Sequence, residues 1–251
     1  MELAEYEILY QLEDSYWWYV ARRKLIAETV RRQAPDTSAP RFVLDVGCGA
    51  GGNEAMLAEF GKTILMDASP AAMLYCSQRG AQRLLASSGS HIALKDNSID
   101  LITALDVLEH LDRDMEGLQE IQRVLKPGGH FVATVPAFGF LWSEHDEALH
   151  HRRRYTSYEL RNKLAAAGFE VVRCTYFITF LFFPIAVIRV LQGIFKKNAF
   201  PKTSHVILPR LINSAISMLL DLERLLCRWI NLPFGVSLLI VGTKQGSGRM
   251  T

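Results

Sequence analysis

The sequence predicts an α/β protein with a doubly wound, Rossmann-like, mostly parallel sheet of seven strands. Two observations predict it. Short apolar strands alternate with helices between residues 41 and 177, and a glycine-rich turn directly follows the first of these strands. Such alternation is typical of parallel sheets, because each crossover helix returns the chain to the same end of the sheet. The chain has 251 residues, 49% of them hydrophobic, which is enough to bury a full core.

The expected elements follow that alternation. Residues 1–34 are predicted to be helical. Ser69 and Pro70 supply an N-cap and a first helical residue, and the capping-box spacing of Thr156 and Glu159 begins a later helix. Helices are expected between successive strands, with a turn at 126–129, and the strands are expected at 41–47, 62–67, 100–104, 130–136, 169–177 and 235–244.

Composition and cysteine spacing exclude some classes of function. The net charge of +2 gives no global electrostatic argument for nucleic-acid binding. The four cysteines are far apart and contain no CxxC pair, which excludes common zinc motifs and favours a reduced, cytoplasmic compartment. The acidic N-terminus lacks the pattern of a secretion signal.

The strongest motif is "LDVGCGAGG" (44–52), which follows the first strand. A glycine-rich turn between a strand and a helix lets the backbone approach a ligand closely. Gly47, Gly49 and Gly51 have the spacing G-x-G-x-G, and Asp45 precedes them by two residues. A dinucleotide pyrophosphate prefers G-x-G-x-x-G without a nearby carboxylate, so this pattern disfavours an NAD(P)-dependent oxidoreductase and favours a cationic ligand.

Three further stretches accompany this loop, namely "TILMD" (63–67), "LKDNSIDLITALDVLEHL" (94–111) and "VLKPGGHFVATVP" (124–136). Together the four resemble class I S-adenosylmethionine-dependent methyltransferases over residues 41–175. The resemblance implies S-adenosylmethionine as cofactor, with Asp67 on the ribose hydroxyls and Ser88 nearest the adenine in place of the acid of many relatives. The cofactor-binding residues so implied are Asp45, Gly47, Gly49, Gly51, Asp67, Ala68, Ser88 and Asp106.

The N-terminal stretch "DSYWWYVARRKLI" (14–26) resembles the "hWWfrgRR" opening of a subset of these enzymes, with Val20 departing from it. The resemblance implies a leading helix that closes over the cofactor as a lid. Arg22 or Arg23 would then meet the cofactor carboxylate, and Tyr16 or Trp17 would close over the ligand. The alternative is that the tryptophans pack the helix onto the sheet.

Candidate catalytic groups follow the strands that end near the cofactor. Asp106, Glu109 and His110 follow the strand expected at 100–104, and some quinone-forming relatives use the residues matching Glu109 and His110 near a metal or substrate. The alternative is that Glu109 and His110 only cap and pack the next helix. His145 lies in the next loop and is the candidate base.

That loop, "LWSEHDEALHHRRRY" (141–155), resembles the "WSeHDealgHrRRYt" stretch of the same subset. It is expected to cover the acceptor, with Arg153 or Arg154 binding an anionic group. A metal site formed by His145, Asp146, His150 and His151 is an open alternative, but no metal is predicted because the sequence specifies no tight ligand set. A salt-bridged structural loop is the main alternative. The expected substrate-binding residues are Tyr16, Trp142, Asp146, Arg153, Arg154 and Tyr155.

Residues 178–234 form an apolar helical insertion before the last strand. Its uncharged run is shorter than the roughly 18–20 residues of a membrane-spanning helix. The segment 210–230 has the periodicity of an amphipathic helix, and Lys196 and Lys197 flank the apolar run. This pattern favours peripheral contact with the inner face of a membrane, and a homodimer interface or a substrate lid are alternatives.

The sequence therefore predicts a methyltransferase that methylates an oxygen of a glycan, a lipid-linked compound or another small molecule. A non-catalytic cofactor-binding scaffold within a biosynthetic complex is the alternative from another class. The expected organisation is an N-terminal lid at 1–40, a cofactor-binding core at 41–177, the insertion at 178–234, and a last strand with a flexible tail at 235–251.

Overall fold

The computed structural model describes residues 3–33, 41–195 and 209–246. Its strands are β1 (Phe42–Val46), β2 (Lys62–Asp67), β3 (Leu84–Ala86), β4 (Ile99–Leu105), β5 (Leu125–Pro136), β6 (Phe169–Phe177) and β7 (Ser237–Lys244). They form one seven-stranded sheet in the order β3-β2-β1-β4-β5-β7-β6. All neighbours pair in parallel except β7, which is antiparallel to both β5 and β6. The predicted fold class is confirmed.

Helices cover both faces of this sheet. Those of the described residues are α1 (Leu3–Leu12), α2 (Trp17–Gln33), α3 (Glu54–Leu57), α4 (Pro70–Gln78), α5 (Asp114–Val124), α6 (Glu144–Ala148), α7 (Ser157–Ala166), α8 (Phe182–Phe195) and α9 (Arg210–Leu226). The capping box predicted at the start of α7 is present, since Thr156 Oγ1 accepts a hydrogen bond from Glu159 N at 3.2 Å.

Some elements differ from the sequence prediction. The single helix expected over 1–34 is two helices, because a turn in which Tyr16 N donates to Leu12 O separates α1 from α2. Strand β5 begins at Leu125 and runs through the predicted turn at 126–129. Strand β3 was not predicted, since three residues are too few to show an alternation. The linker at 34–40 and the lysines at 196–197 lie outside the described residues.

The core consists of one apolar layer on each side of the sheet. Phe131 and Val132 are neighbours on β5 and belong to different layers, as the two-residue period of a strand requires. One layer contains Leu118 of α5 and residues of α7, and the other contains Ile26 of α2. Strands β1, β2, β4 and β5 run in one direction, so the loops that follow them meet at the same edge of the sheet.

Helix α9 is held against the protein by its buried Leu220 and by polar side chains that pair with α2. Asp221 pairs with Lys24 at 2.6 Å, and Glu28 of α2 pairs with both Arg224 and Arg228. The apolar side of α9 consequently faces outward: Leu211 is 85% exposed, Met218 73% and, just after the helix, Trp229 83%. Among the described helices, none combines the length and apolar character needed to cross a membrane.

Candidate active site

A cavity of about 530 Å³ lies at the edge of the sheet where β1, β2, β4 and β5 end. Ligands bind at this edge in open α/β sheets. The first two helices form one wall, and side chains of α6 and α8 reach it from the other side. The residues from the sequence prediction that line it are Tyr16, Trp17, Arg22, Gly47, Gly49, Asp67, Ala68, Asp106, Glu109, His110, His145 and Arg154.

The glycine loop brings backbone to the cavity wall. Gly47 has φ +65°, and a Cβ there would lie 2.5 Å from Val107 Cγ2, so both its conformation and its packing require glycine. Cys48 N donates to Met66 O at 3.0 Å, which fixes the loop against β2. The turn therefore has the form that the sequence predicts.

Asp45 does not face this cavity as its predicted role requires. It is 1% exposed, accepts a hydrogen bond from Thr103 Oγ1 at 2.6 Å and another from Asn53 Nδ2 at 3.3 Å. Burial raises the pKa of Asp45 to about 6, and these two hydrogen bonds oppose that shift. The reason is geometric, because side chains of a strand alternate and Asp45 points into the protein between β1 and β4. Asp45 instead stabilises the glycine loop from its buried side, through its hydrogen bonds with Thr103 and Asn53.

Asp67 ends β2 and lines the cavity. Its Oδ2 accepts a hydrogen bond from Gly49 N at 3.2 Å, and its Oδ1 accepts one from Ser69 N at 2.9 Å. Burial raises its pKa. A carboxylate has about four acceptor sites, so two remain for a diol. Ser88 is exposed and bridges to His91, while its neighbours Ser87 and Gly89 line the cavity.

The N-terminal helices close one side of the cavity. Arg22 is buried and forms an ion pair with Asp106, whose Oδ1 also accepts a hydrogen bond from Thr134 Oγ1 at 3.0 Å. The buried Nε of Arg22 has no hydrogen-bond partner. Trp17 and Trp18 both line the cavity, and both pack against the apolar layer that contains Ile26. Trp18 also stacks on Phe177 of β6, with ring centroids 5.6 Å apart. Each tryptophan thus combines the two roles that the sequence analysis considered.

Glu13 was missed by the sequence analysis. It lies between α1 and α2, is 4% exposed, and contacts the glycine loop so closely that a Cβ on Gly52 would lie 2.4 Å from Glu13 Oε2. Burial raises the pKa of Glu13 to about 7, and the positive charge of Arg79, 3.4 Å away, opposes the shift. Nothing in the sequence distinguishes Glu13 from the exposed acid Glu7 of the same segment.

Glu109 and His110 lie in a short 3-10 turn after β4 and meet His151 from the loop after α6. The rings of His110 and His151 are 4.8 Å apart, and Glu109 Oε1 lies 4.0 Å from His151 Nε2. Burial raises the pKa of Glu109 well above its usual range, with the charge of Asp106 adding to the shift. Burial also lowers the pKa of His110 to about 4.

The loop 141–155 is organised around Asp146. This carboxylate is fully buried, accepts hydrogen bonds from Arg154 Nε at 2.8 Å and Nη2 at 2.9 Å, and bonds His151 Nδ1 at 2.9 Å. Arg189 of α8 lies 3.8 Å away. The charges around it hold the pKa of Asp146 well below its usual range despite burial. The predicted contact of Asp146 with the acceptor is therefore replaced by a structural role.

The predicted anion-binding arginines need the same correction. The guanidinium of Arg154 forms an ion pair with Asp146 and donates a hydrogen bond to the carbonyl oxygen of Ala137, 3.0 Å away. Arg153 donates to the carbonyl oxygens of Leu111 and Asp112 and pairs with Asp114 at 3.2 Å. Both guanidinium groups bind groups of the protein, which corresponds to the salt-bridged alternative.

Two aromatic residues of the loop also differ from their predicted roles. Tyr155 is 2% exposed in the core, and its hydroxyl donates to Asp114 Oδ2 at 2.9 Å. Trp142 lies on the surface at 37% exposure. His145 does line the cavity, and His151, which the sequence analysis considered only as a possible metal ligand, joins it there. The sequence of the loop does not show which of its aromatic and basic residues lie in the core, on the surface or at the cavity.

Comparisons with known proteins agree with this geometry. Residues 44–133 match the family described as "Methyltransferase domain". The chain is 29% identical over 163 residues to a "Probable S-adenosylmethionine-dependent methyltransferase" of Mycolicibacterium smegmatis, covering 63% of this chain and 61% of that protein. It is also 29% identical over 141 residues to a ubiquinone biosynthesis O-methyltransferase of Thiobacillus denitrificans, covering 51% and 61% of the two chains. The chain thus spans about 61% of the length of each relative.

Among solved structures, a chain of the complex between the Haloferax volcanii Trm112 methyltransferase activator and its methyltransferase superposes with a TM-score of 0.62. The superposition covers 98% of this chain and 96% of that one at 18% identity, which supports the fold. The residues at the cavity also fit the cofactor of the matched family. Asp67 has free acceptor sites, Arg22 has a free buried donor, and Gly47 leaves no space for a side chain. Residues 44–133 thus match a methyltransferase domain, the chain is similar to S-adenosylmethionine-dependent methyltransferases, and the residues of its cavity fit S-adenosylmethionine as the cofactor.

Proposed function

We propose that this chain transfers the methyl group of S-adenosylmethionine to an oxygen of a small or lipid-linked acceptor. The observation that carries the proposal is a single cavity that contains both Asp67 with the glycine loop and a group of imidazoles, His110, His145 and His151. The ubiquinone biosynthesis O-methyltransferase among the relatives supports an oxygen acceptor. A non-catalytic scaffold would bind the cofactor without turnover.

The residues of the cofactor side have separable tasks. The cofactor supplies a methyl group already activated by the sulfonium, so much of the rate can come from alignment and the exclusion of water. Asp67 would hold the ribose hydroxyls, and Arg22 with Asp106 would hold the methionine portion. Tyr16 and Trp17 line the same cavity and would keep water from it.

Apolar side chains share the acceptor side of the cavity with the imidazoles. Leu149, Ile178 and Ile185 line it, while the guanidinium of Arg154 is occupied by Asp146. An acceptor with an apolar body therefore fits better than one recognised through an anionic group. His145 lines this side of the cavity, and its imidazole is the proposed acceptor of the hydroxyl proton.

Replacing Asp67 by alanine is expected to weaken binding of S-adenosylhomocysteine by about 10- to 100-fold, because hydrogen bonds to a charged acceptor contribute about 1.5–3 kcal/mol. Calorimetry measures this directly. Asp112→Ala is the control, since Asp112 is exposed and pairs with Arg152 on the surface. Equal affinities for the two variants and the wild type would contradict the proposed cofactor site.

We also propose that α9 lies against the inner face of a membrane. The helix docks through its polar side, and its exposed Leu211 and Met218, followed by Trp229, form the apolar face typical of interfacial helices. Arg210, at the start of α9, is exposed beside this face, which suits an anionic lipid surface. Such a position would give the cavity access to a lipid-linked acceptor.

Flotation with anionic liposomes tests this placement. The wild type is expected to float, and the double variant Leu211→Glu/Trp229→Glu is expected to stay in the aqueous phase, because two charges would enter the interface. Tyr158→Glu is the matched control, since Tyr158 is 74% exposed on α7. A wild type that stays in the aqueous phase contradicts membrane contact, and a dimer disrupted by the same double variant would assign this face to self-association.

A further inference from the structure

A set of metal-ligand side chains lies on the acceptor side of the cavity. Glu109, His110 and His151 place one oxygen and two ring nitrogens within 4.8 Å of one another. The first two belong to the turn after β4. His151 arrives from the loop after α6, which is held there because Arg152 N donates to the carbonyl of Glu109 at 2.8 Å. A backbone hydrogen bond thus joins the two segments that carry the ligand atoms.

The carboxyl group of Glu109 is unusual for a protein interior. It is fully buried, and neither of its oxygens has a hydrogen-bond partner. Burying such a group without a partner is costly, so nearly all buried polar groups are satisfied. His151 Nε2, at 4.0 Å, is too distant to be a hydrogen-bond partner. A cation bound between these atoms would compensate the carboxylate.

His151 is oriented as a metal ligand would be. Its Nδ1 bonds Asp146 Oδ1 at 2.9 Å, and this interaction directs Nε2 toward Glu109. Asp146 is itself fixed by the guanidinium of Arg154. A carboxylate that holds the outer nitrogen of a ligating histidine is the usual support of such sites. Asp146 and Arg154 would then orient the imidazole of His151 so that its Nε2 points toward Glu109.

We propose that Glu109, His110 and His151 bind a divalent transition metal, with zinc as the best-matched ion. Two imidazoles and one carboxylate form the ligand set of open zinc sites, whereas magnesium prefers oxygen ligands alone. All three residues line the cavity. Provided that the chain has the proposed function, the acceptor oxygen would bind there and lose its proton more readily. This site replaces the sequence prediction that no metal is bound.

Metal binding is tested with the full chain, treated with a chelator and titrated with Co²⁺ as a spectroscopic substitute for zinc and then with Zn²⁺ in competition. One equivalent is expected to produce the visible absorption of nitrogen-ligated Co²⁺. Glu109→Gln and His151→Asn are expected to weaken Co²⁺ binding by at least about 10- to 100-fold, the effect that even an outer-sphere change produces. Glu109→Gln removes no hydrogen bond of the carboxyl group, so this variant is expected to fold.

The matched control is His150→Asn. His150 is the exposed neighbour of His151, and its φ of +57° is one that asparagine tolerates. Wild-type absorption in this variant supports the proposed ligands. Absence of Co²⁺ binding by the wild type, or equal binding by Glu109→Gln, would overturn the site. Calorimetry with S-adenosylhomocysteine on the same samples separates the proposals, since metal binding without cofactor binding would contradict only the proposed function.

Discussion

Replacing Arg154 by alanine is expected to lower the free energy of unfolding by about 3–5 kcal/mol, the usual cost of removing one partner from a buried ion pair. The side chains of Arg154 and Asp146 are 2% and 0% exposed. Without Arg154, the carboxylate keeps its hydrogen bonds with Ser143 and His151, and the nearest remaining guanidinium is that of Arg189 at 3.8 Å. Urea unfolding measures the loss.

Arg152→Ala is the control for this experiment, because it removes an adjacent arginine of the same run. Arg152 pairs with Asp112 at 3.0 Å, and both side chains are more than half exposed. Such pairs contribute about 0–1 kcal/mol. A similar, small loss of stability in both variants would show that Arg154 does not compensate a buried charge, and the explanation of His151 orientation would fail with it.

The three consecutive arginines show where prediction from the sequence ends. Arg152 is exposed, Arg153 binds the carbonyls at 111–112, and Arg154 is buried against Asp146. Adjacent residues of the same type occupy different environments because the backbone turns between them. The loop lies at the cavity, as the sequence analysis expected. Its composition does not show which of its residues are buried and which are exposed.

Helix α9 gives a second example of this limit. Its periodicity predicts two faces, one apolar and one polar, and the helix is present. Periodicity alone does not say which face meets the protein. That is decided by α2, whose Lys24 and Glu28 offer charges to the polar side. By contrast, the sheet could be predicted because the alternation of short strands with helices is visible locally in the sequence. The expectation that Asp67 lies at the cavity came from the resemblance of its motif to one family.

We expect α1 and the turn that carries Glu13 to act as a lid over the cofactor cavity, and the second large effect concerns the pH dependence of its closure. Glu13 is buried against Gly52, and its pKa in the closed lid is raised from 4.5 to about 7. Because closure binds a proton that the open state releases, closure is most favourable below pH 4.5 and loses this contribution as the pH rises through 7. The full shift corresponds to about 3 kcal/mol, at 1.36 kcal/mol for each pKa unit.

Hydrogen exchange of the α1 amides, corrected for the intrinsic rates, measures lid opening at pH 6 and pH 8. Protection in the wild type is expected to fall about ten-fold over this interval. Between pH 6 and pH 8 the closed state loses only about one pKa unit of the shift, and one unit corresponds to a factor of ten. The charged groups that face Glu13 are Arg79 of α4 and, from α2, Arg22 and Arg23. They remain protonated over this range and do not contribute to the change.

Two variants separate Glu13 from other titrating groups. Glu13→Gln keeps the shape of the side chain without its charge, so α1 is expected to stay protected at pH 8. Glu7→Gln is the control, because Glu7 is exposed on the same helix and should leave the wild-type dependence unchanged. If Glu13→Gln retained the ten-fold loss, another group would govern the lid. If instead the loss disappears, closure of the cofactor cavity near neutral pH depends on the proton of a single buried carboxyl group.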